Sequence, residues 1–231
     1  MVHDVRGREG PGVVTRRALL VGGAVAGPLF IAVALVQGAV RPGYEPLRHP
    51  VSSLALGPGG AVQVVNFLVT GALYAGLAVG LARAPRPAGT SRARAVLIGA
   101  AGVGLIGAGA FRTDPVGGYP PGAPDALAGY STAGALHDAF SVPVFLAVPA
   151  AALLHARARR REGDGGWAVA SAGCGLVVLA GFGAASAGFG QHPALVDVAG
   201  LVQRLSLTAG FGWLSALAVQ ALRQPASNVP R

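Results

Sequence analysis

Lysine is absent from this chain, acidic residues number nine, and charged residues make up only 12% of the whole. Each shortage excludes something. A soluble domain of this length carries charge on about a quarter of its positions, so this composition could hardly clothe a water-facing surface. A bilayer removes the requirement, because lipid accepts an apolar exterior once the backbone is satisfied internally. Cysteine occurs once, as Cys174 within an apolar stretch. No internal disulfide can form, and the residue reads as small packing material. The surplus of arginine over acid could suggest nucleic acid, but the arginines lack the interleaved aromatics of a base-stacking surface. No nucleic-acid partner is expected.

What the sequence does hold is apolar length. Just over half of its residues are hydrophobic, and a bilayer core needs about 20 mainly apolar residues per helix. Six segments qualify: 18–40, 62–82, 95–111, 133–155, 167–188 and 199–222. The third is short and glycine-rich. Pro/Gly-rich or arginine-rich punctuation separates the segments, as loops require. The expected fold class is therefore all-α, a polytopic membrane protein built as a six-transmembrane-helix bundle. The membrane domain is placed at 18–222, between a cytoplasmic N-terminal segment 1–17 and a cytoplasmic tail 223–231.

Arginine placement orients the bundle. Arg6, Arg8, Arg16 and Arg17 precede the first span. Arg83, Arg86, Arg92 and Arg94 lie between the second and third, Arg157 and Arg159–Arg161 between the fourth and fifth, and Arg223 and Arg231 in the tail. Fourteen of eighteen arginines thus fall on one side, against Arg41, Arg48 and Arg112 on the other. The expectation is cytoplasmic termini in a multi-pass protein of the plasma (inner) membrane, with arginines as anchors. Thr15-Arg16-Arg17 before an apolar run also resembles a twin-arginine export signal. Cleavage near Gly38-Ala39 would then delete the first span. That run is long for a signal h-region and its loss would leave an odd number of spans, so an uncleaved first helix is expected.

Partners of a bundle in lipid are read from small residues, since apolar burial no longer drives helix association. Gly23-x-x-x-Gly27, Gly76-x-x-x-Gly80, the ladder Ala100, Gly104, Ala108, and Gly183 with Ala187 match the small-x-x-x-small pattern. Packing within one chain is the main reading, and an oligomer through such faces the alternative.

Polar residues gather toward the outer side, whereas the inner halves of the spans look nearly free of them. The ligand-pocket candidates are His49, Ser52, Ser53, Asn66, Asp114, His137, Asp138, His192 and Arg204. Ionisable groups inside a span usually face a bundle interior, a partner or a wet cavity. An Asp138–Arg204 ion pair, hydrogen-bonded by Asn66 and Gln203, is one economical arrangement; a structural polar plug is the bland one. His137 and Ser141 share a helical face and Asp138 points about 100° away, so the two neighbours are expected to meet different groups. The loops holding His49-Pro50 and Asp114-Pro115 are rich in proline and glycine and could fold as caps. No cofactor is announced by a motif. Zinc on His49, Asp114, His137 and His192 has suitable ligand chemistry but no local spacing. A Ser–His–Asp hydrolase using Ser52 or Ser53 lacks a nucleophile elbow.

Three runs taken together carry a resemblance: His49-Pro50-Val51-Ser52-Ser53-Leu54-Ala55, Thr113-Asp114-Pro115-Val116-Gly117-Gly118-Tyr119-Pro120, and Leu136-His137-Asp138. The chain resembles the bacterial domain-of-unknown-function family numbered 998 over roughly 20–222. The resemblance implies a multi-span membrane protein and brings no activity with it. Arg112 departs from the pattern, where a bulky or apolar residue is expected. The functional expectation is an outer-leaflet pocket that binds a lipid or small molecule. The alternative is a metal-assisted intramembrane hydrolase acting on a lipid-like substrate from the outer side.

Overall fold

The computed structural model describes residues 11–83, 89–127 and 129–224. Arg6, Arg8, Arg86 and Arg231, most of the expected N-terminal segment and most of the tail lie outside the described residues.

The six apolar runs fold as six helices: α1 (Pro11–Val40), α2 (Gly60–Ala82), α3 (Gly89–Ala110), α4 (Thr132–Arg161), α5 (Gly165–Phe189) and α6 (Ala199–Arg223). All six contain stretches long and apolar enough to cross a membrane. Helix ends follow local chemistry. Ser131 caps α4 by accepting from the Gly134 N–H at 2.9 Å, and Arg159, Arg160 and Arg161 in its last turn complement the negative helix pole. Asp164 then caps α5, accepting from the Trp167 N–H at 3.2 Å. The turn between these two helices therefore needs only three residues.

Each helix packs on its sequence neighbours, and α6 closes back on α1 to complete a ring. Consecutive helices alternate in direction, so α1 begins and α6 ends at the ring's arginine-rich end. The long connections 41–59, 111–131 and 190–198 all lie at the other, loop-rich end.

Glycine permits the close approaches that hold the ring. An added Cβ at Gly102 would stand 2.7 Å from the Ala75 nitrogen and 2.8 Å from the Gly71 oxygen. One at Gly71 would stand 2.6 Å from the Gly102 oxygen, so α2 and α3 touch backbone to backbone. In α1, Gly23 faces Leu77 and Gly27 faces the Phe211 backbone, while Gly76 and Gly80 of α2 face Leu19. These small-residue motifs are therefore occupied inside one chain; Gly183 of α5 meets nothing within 4 Å.

The ring's centre is aromatic. Phe30 packs on Phe67 and Phe211 at centroid distances of 5.5 and 5.2 Å, and Tyr74 meets Phe211 at 5.3 Å. Beside it runs a buried polar seam in which Gln37 Nε2 donates to Gln63 Oε1 at 2.8 Å and Asn66 Nδ2 donates to the Phe30 carbonyl at 3.1 Å.

The expectation that the spans' arginine-side halves hold few polar groups is corrected by the structure. His155, 1% exposed, sits against the Arg94 guanidinium with Trp167 and Trp213 at 5.7 and 5.9 Å. Ser171 accepts from Trp213 Nε1 at 3.0 Å. His155 is four-fifths of the way along an unbroken helix that continues into its arginine cluster. In sequence it merged with that cluster instead of reading as an interior group.

Candidate functional site

The loop-rich end is a folded cap. Gly43, Gly117 and Gly118 take the positive φ angles that their turns require. Arg48 joins all three long connections, meeting Asp125 at 2.8 Å and Asp197 at 3.7 Å. Gln191 Nε2 adds a bond to the Asp125 carbonyl at 2.9 Å.

Beneath these surface ties lies an aromatic cluster. The rings of Tyr44, His49 and Tyr119 stand 5.1–5.4 Å apart. His49 Nδ1 accepts from the Glu45 N–H at 2.8 Å, which places the ring proton on Nε2, and Nε2 donates to the Gly117 carbonyl at 2.8 Å. Burial, chiefly, pushes the imidazole below its usual 6.5, and Arg48 and Arg204 add to the effect.

Arg204, expected to pair with Asp138, does not. Its Nη1 donates to the carbonyls of His49 and Gly200 at 3.0 and 2.8 Å, and its Nη2 donates to the Tyr44 hydroxyl. The guanidinium carbon lies 5.5 Å from the Tyr44 ring centre. Burial pushes the Tyr44 phenol up to about 12 against the opposing pull of Arg204. It stays protonated and donates to the Pro50 carbonyl at 2.9 Å. Arg204 thus rivets the 41–59 connection to α6, using carbonyl and phenol oxygens in place of a carboxylate. Gln203 contributes through Oε1, which accepts from the Val51 N–H at 2.8 Å.

A cavity of about 430 Å³ opens beside this rivet, inside the loop-rich half of the ring. All six helices contribute to its walls. Its floor and sides are apolar, with Phe30, Phe67, Leu105, Phe145, Phe182 and Leu207 among them. Its polar groups are Ser52, Thr113, Asp114, Tyr130, His137 and Asp138, with Ser141, Ser186 and Gln203. Phe145 and Phe182 stack at 4.7 Å across the α4–α5 seam. Asp138 and Val142 of α4 and Ser186 of α5, which line the cavity, are exposed, so the cavity reaches the protein surface along this seam.

Among the site candidates, Ser52, Asp114, His137 and Asp138 come together on this cavity. His137 and Asp138 do meet different groups. The His137 Nδ1 donates to the Ala108 and Phe111 carbonyls at 2.8 and 3.1 Å, whereas Asp138 turns toward Tyr130. The cavity is wide enough to be bordered by both. Asp114 Oδ2 accepts from the Ser131 N–H at 2.9 Å, holding the loop against the start of α4.

The other candidates lie elsewhere. His49 and Arg204 belong to the rivet, Asn66 to the polar seam, and Ser53 is buried with no partner for its hydroxyl among the described residues. His192 is exposed on the third connection, where it caps the Ala194 N–H at 3.3 Å. Among the described residues no three His, Cys, Asp or Glu side chains are grouped to hold a metal ion.

Tyr130, Ser141 and Ser186 were not among the sequence candidates. Ser141 carried a signal, being one helical turn from His137. Tyr130 and Ser186 had none, because a loop tyrosine and an isolated helical serine are common everywhere.

Six membrane-crossing helices closed into a ring and capped at one end make this a multi-pass helical membrane protein. Within that class the chain belongs to the family described as protein of unknown function (DUF998), whose model matches residues 24–220. No curated protein and no solved structure matches it.

Proposed function

We propose that the cavity is a binding site for a lipid or small amphiphile that enters sideways from the outer leaflet. The carrying observation is a cavity lined mainly by aromatic and aliphatic side chains, with Asp114, His137, Asp138 and Ser186 among its few polar groups. Largely apolar clefts with a few convergent polar groups are the usual form of small-molecule sites. The volume, about 430 Å³, falls within the usual range for such sites, about 300–1,000 Å³. An opening along the α4–α5 seam lets an apolar tail pass from lipid to protein without crossing water.

The arginine-rich end faces the cytoplasm in this reading, by the excess of positive charge in its short connections. The cavity then opens toward the outer surface of a plasma membrane. Arg48 and the rivet of Tyr44, His49 and Arg204 hold the lid in place and take no part in contacting the occupant.

The test is native mass spectrometry of the full chain, released from a mild maltoside detergent, with and without Ser186→Phe. Ser186 is exposed and lines the cavity, so the added ring obstructs entry and leaves the core untouched. The wild type should retain a bound amphiphile, and Ser186→Phe should lose it while eluting at the same size. Equal retention by both proteins would overturn the reading.

A further inference from the structure

We infer that the cavity's occupant is a cationic amphiphile, whose head presents ammonium or guanidinium N–H groups to Asp114, His137 and Asp138. The inference rests on the reading of the cavity as a binding site and adds the charge of the ligand.

Its basis is an imbalance of hydrogen-bonding types. Asp114 and Asp138 are within electrostatic reach of one another, and both border the cavity. Ionised carboxylates accept only. His137 is 3% exposed, and its Nδ1 is committed as a donor to two α3 carbonyls. In the neutral imidazole its Nε2 is then the lone-pair nitrogen, and no described residue bonds to it. Against these acceptors the cavity walls offer only neutral donors, the hydroxyls of Ser52, Thr113, Tyr130, Ser141 and Ser186 and the Gln203 amide, and no arginine. The buried guanidinium of Arg204 is engaged by Tyr44 and two carbonyls.

Two nearby carboxylates at the rim of an apolar cavity disfavour an anionic head by repulsion. For a neutral head they provide ordinary acceptors. For a cationic head they provide attraction in a medium that screens less than water, with charge-assisted bonds roughly twice as strong as neutral ones. The buried imidazole lone pair fits the same head, since it can accept one further N–H. The apolar part of the ligand then lies along Phe145, Phe182 and Leu207.

Three probes of equal chain length separate charge from apolar affinity: dodecylammonium, dodecanol and dodecanoate. Each is added at the same concentration to the full chain in maltoside, and bound probe is counted by native mass spectrometry. Dodecylammonium should bind once per chain, about tenfold or more tighter than dodecanol, with dodecanoate weakest. Asp138→Asn should abolish the preference while keeping dodecanol binding, and Asp138→Glu should retain it. Asp114→Asn, checked for folding by its elution volume, should weaken the preference in the same direction.

Equal binding of the three probes, or a preference that survives both Asp→Asn changes, would overturn the charge assignment and leave the cavity reading standing. No binding of any probe, together with no effect of Ser186→Phe, would remove the cavity reading and the inference with it.

Discussion

Replacing a helical glycine with alanine usually stabilises a helix by up to about 1 kcal/mol, because alanine loses less conformational entropy on folding. The structure predicts opposite outcomes for this change at two positions inside helices. At Gly183 the new methyl meets nothing within 4 Å, so the propensity term acts alone. Gly183→Ala should stabilise by no more than about 1 kcal/mol. At Gly102 the methyl would stand 2.7 Å from the Ala75 nitrogen and 2.8 Å from the Gly71 oxygen. Both are backbone atoms of a neighbouring helix, which no side-chain rotation can move. To reach ordinary contact α2 and α3 must separate by roughly half an ångström or more, an overpacking change that costs about 1–3 kcal/mol. That separation also loosens the dispersion contacts that hold helices together when lipid surrounds them. The clash should outweigh the propensity gain, making Gly102→Ala destabilising by about 1–2 kcal/mol. Unfolding by sodium dodecyl sulfate, followed by tryptophan fluorescence in mixed micelles, compares the two proteins directly. Shifts of the same sign and size would mean that α2 and α3 do not meet at Gly71 and Gly102, and would refute the packing derived from these glycines.

Three further outcomes are expected. Removing Arg204's guanidinium by Arg204→Gln strands the carbonyls it binds, at about 1–3 kcal/mol for each acceptor left buried without a donor. Because Arg204 does not meet Asp138, a thermal-unfolding cycle with Asp138→Asn should be additive, and a coupling of 1 kcal/mol or more would restore their pairing. Folding holds the His49 imidazole below its usual 6.5, so the unfolded chain takes up a proton first. Stability should be full above about pH 6.5 and decline as pH falls through the window beneath it. His49→Gln should lose this component, and an unchanged pH profile would count against a neutral His49 bridging Glu45 and Gly117. Reporter fusions after Gly163 should be read in the cytoplasm and fusions after Gly59 and Gly122 outside; an external signal at Gly163 would invert the proposed orientation.

Fold class and helix number are legible in the residues alone. Both follow from one-dimensional quantities, the length of each apolar run and the punctuation between runs. Every expected span lies within its observed helix except at Phe111, one residue past the end of α3. Sequence also picked out His49, Asp114, His137, Asp138 and Arg204 as unusual, since charged or ionisable groups near apolar runs are visible without a structure. It could not assign their partners. Opposite charge alone pairs Arg204 with Asp138, yet the ring directs Arg204 toward the Tyr44 hydroxyl and two carbonyls. Carbonyl acceptors belong to every residue alike and leave no mark in a sequence. His49 looked like a ligand-binding group and became a bridge for the same reason, its two ring nitrogens meeting a backbone N–H and a backbone carbonyl. The glycines show the same limit. Regular spacing singled out Gly23, Gly27, Gly76 and Gly80, but the mutual contact of α2 and α3 fell to Gly71 and Gly102. Spacing along one helix says which residues share a face; only the crossing of two helices decides which of those faces touch.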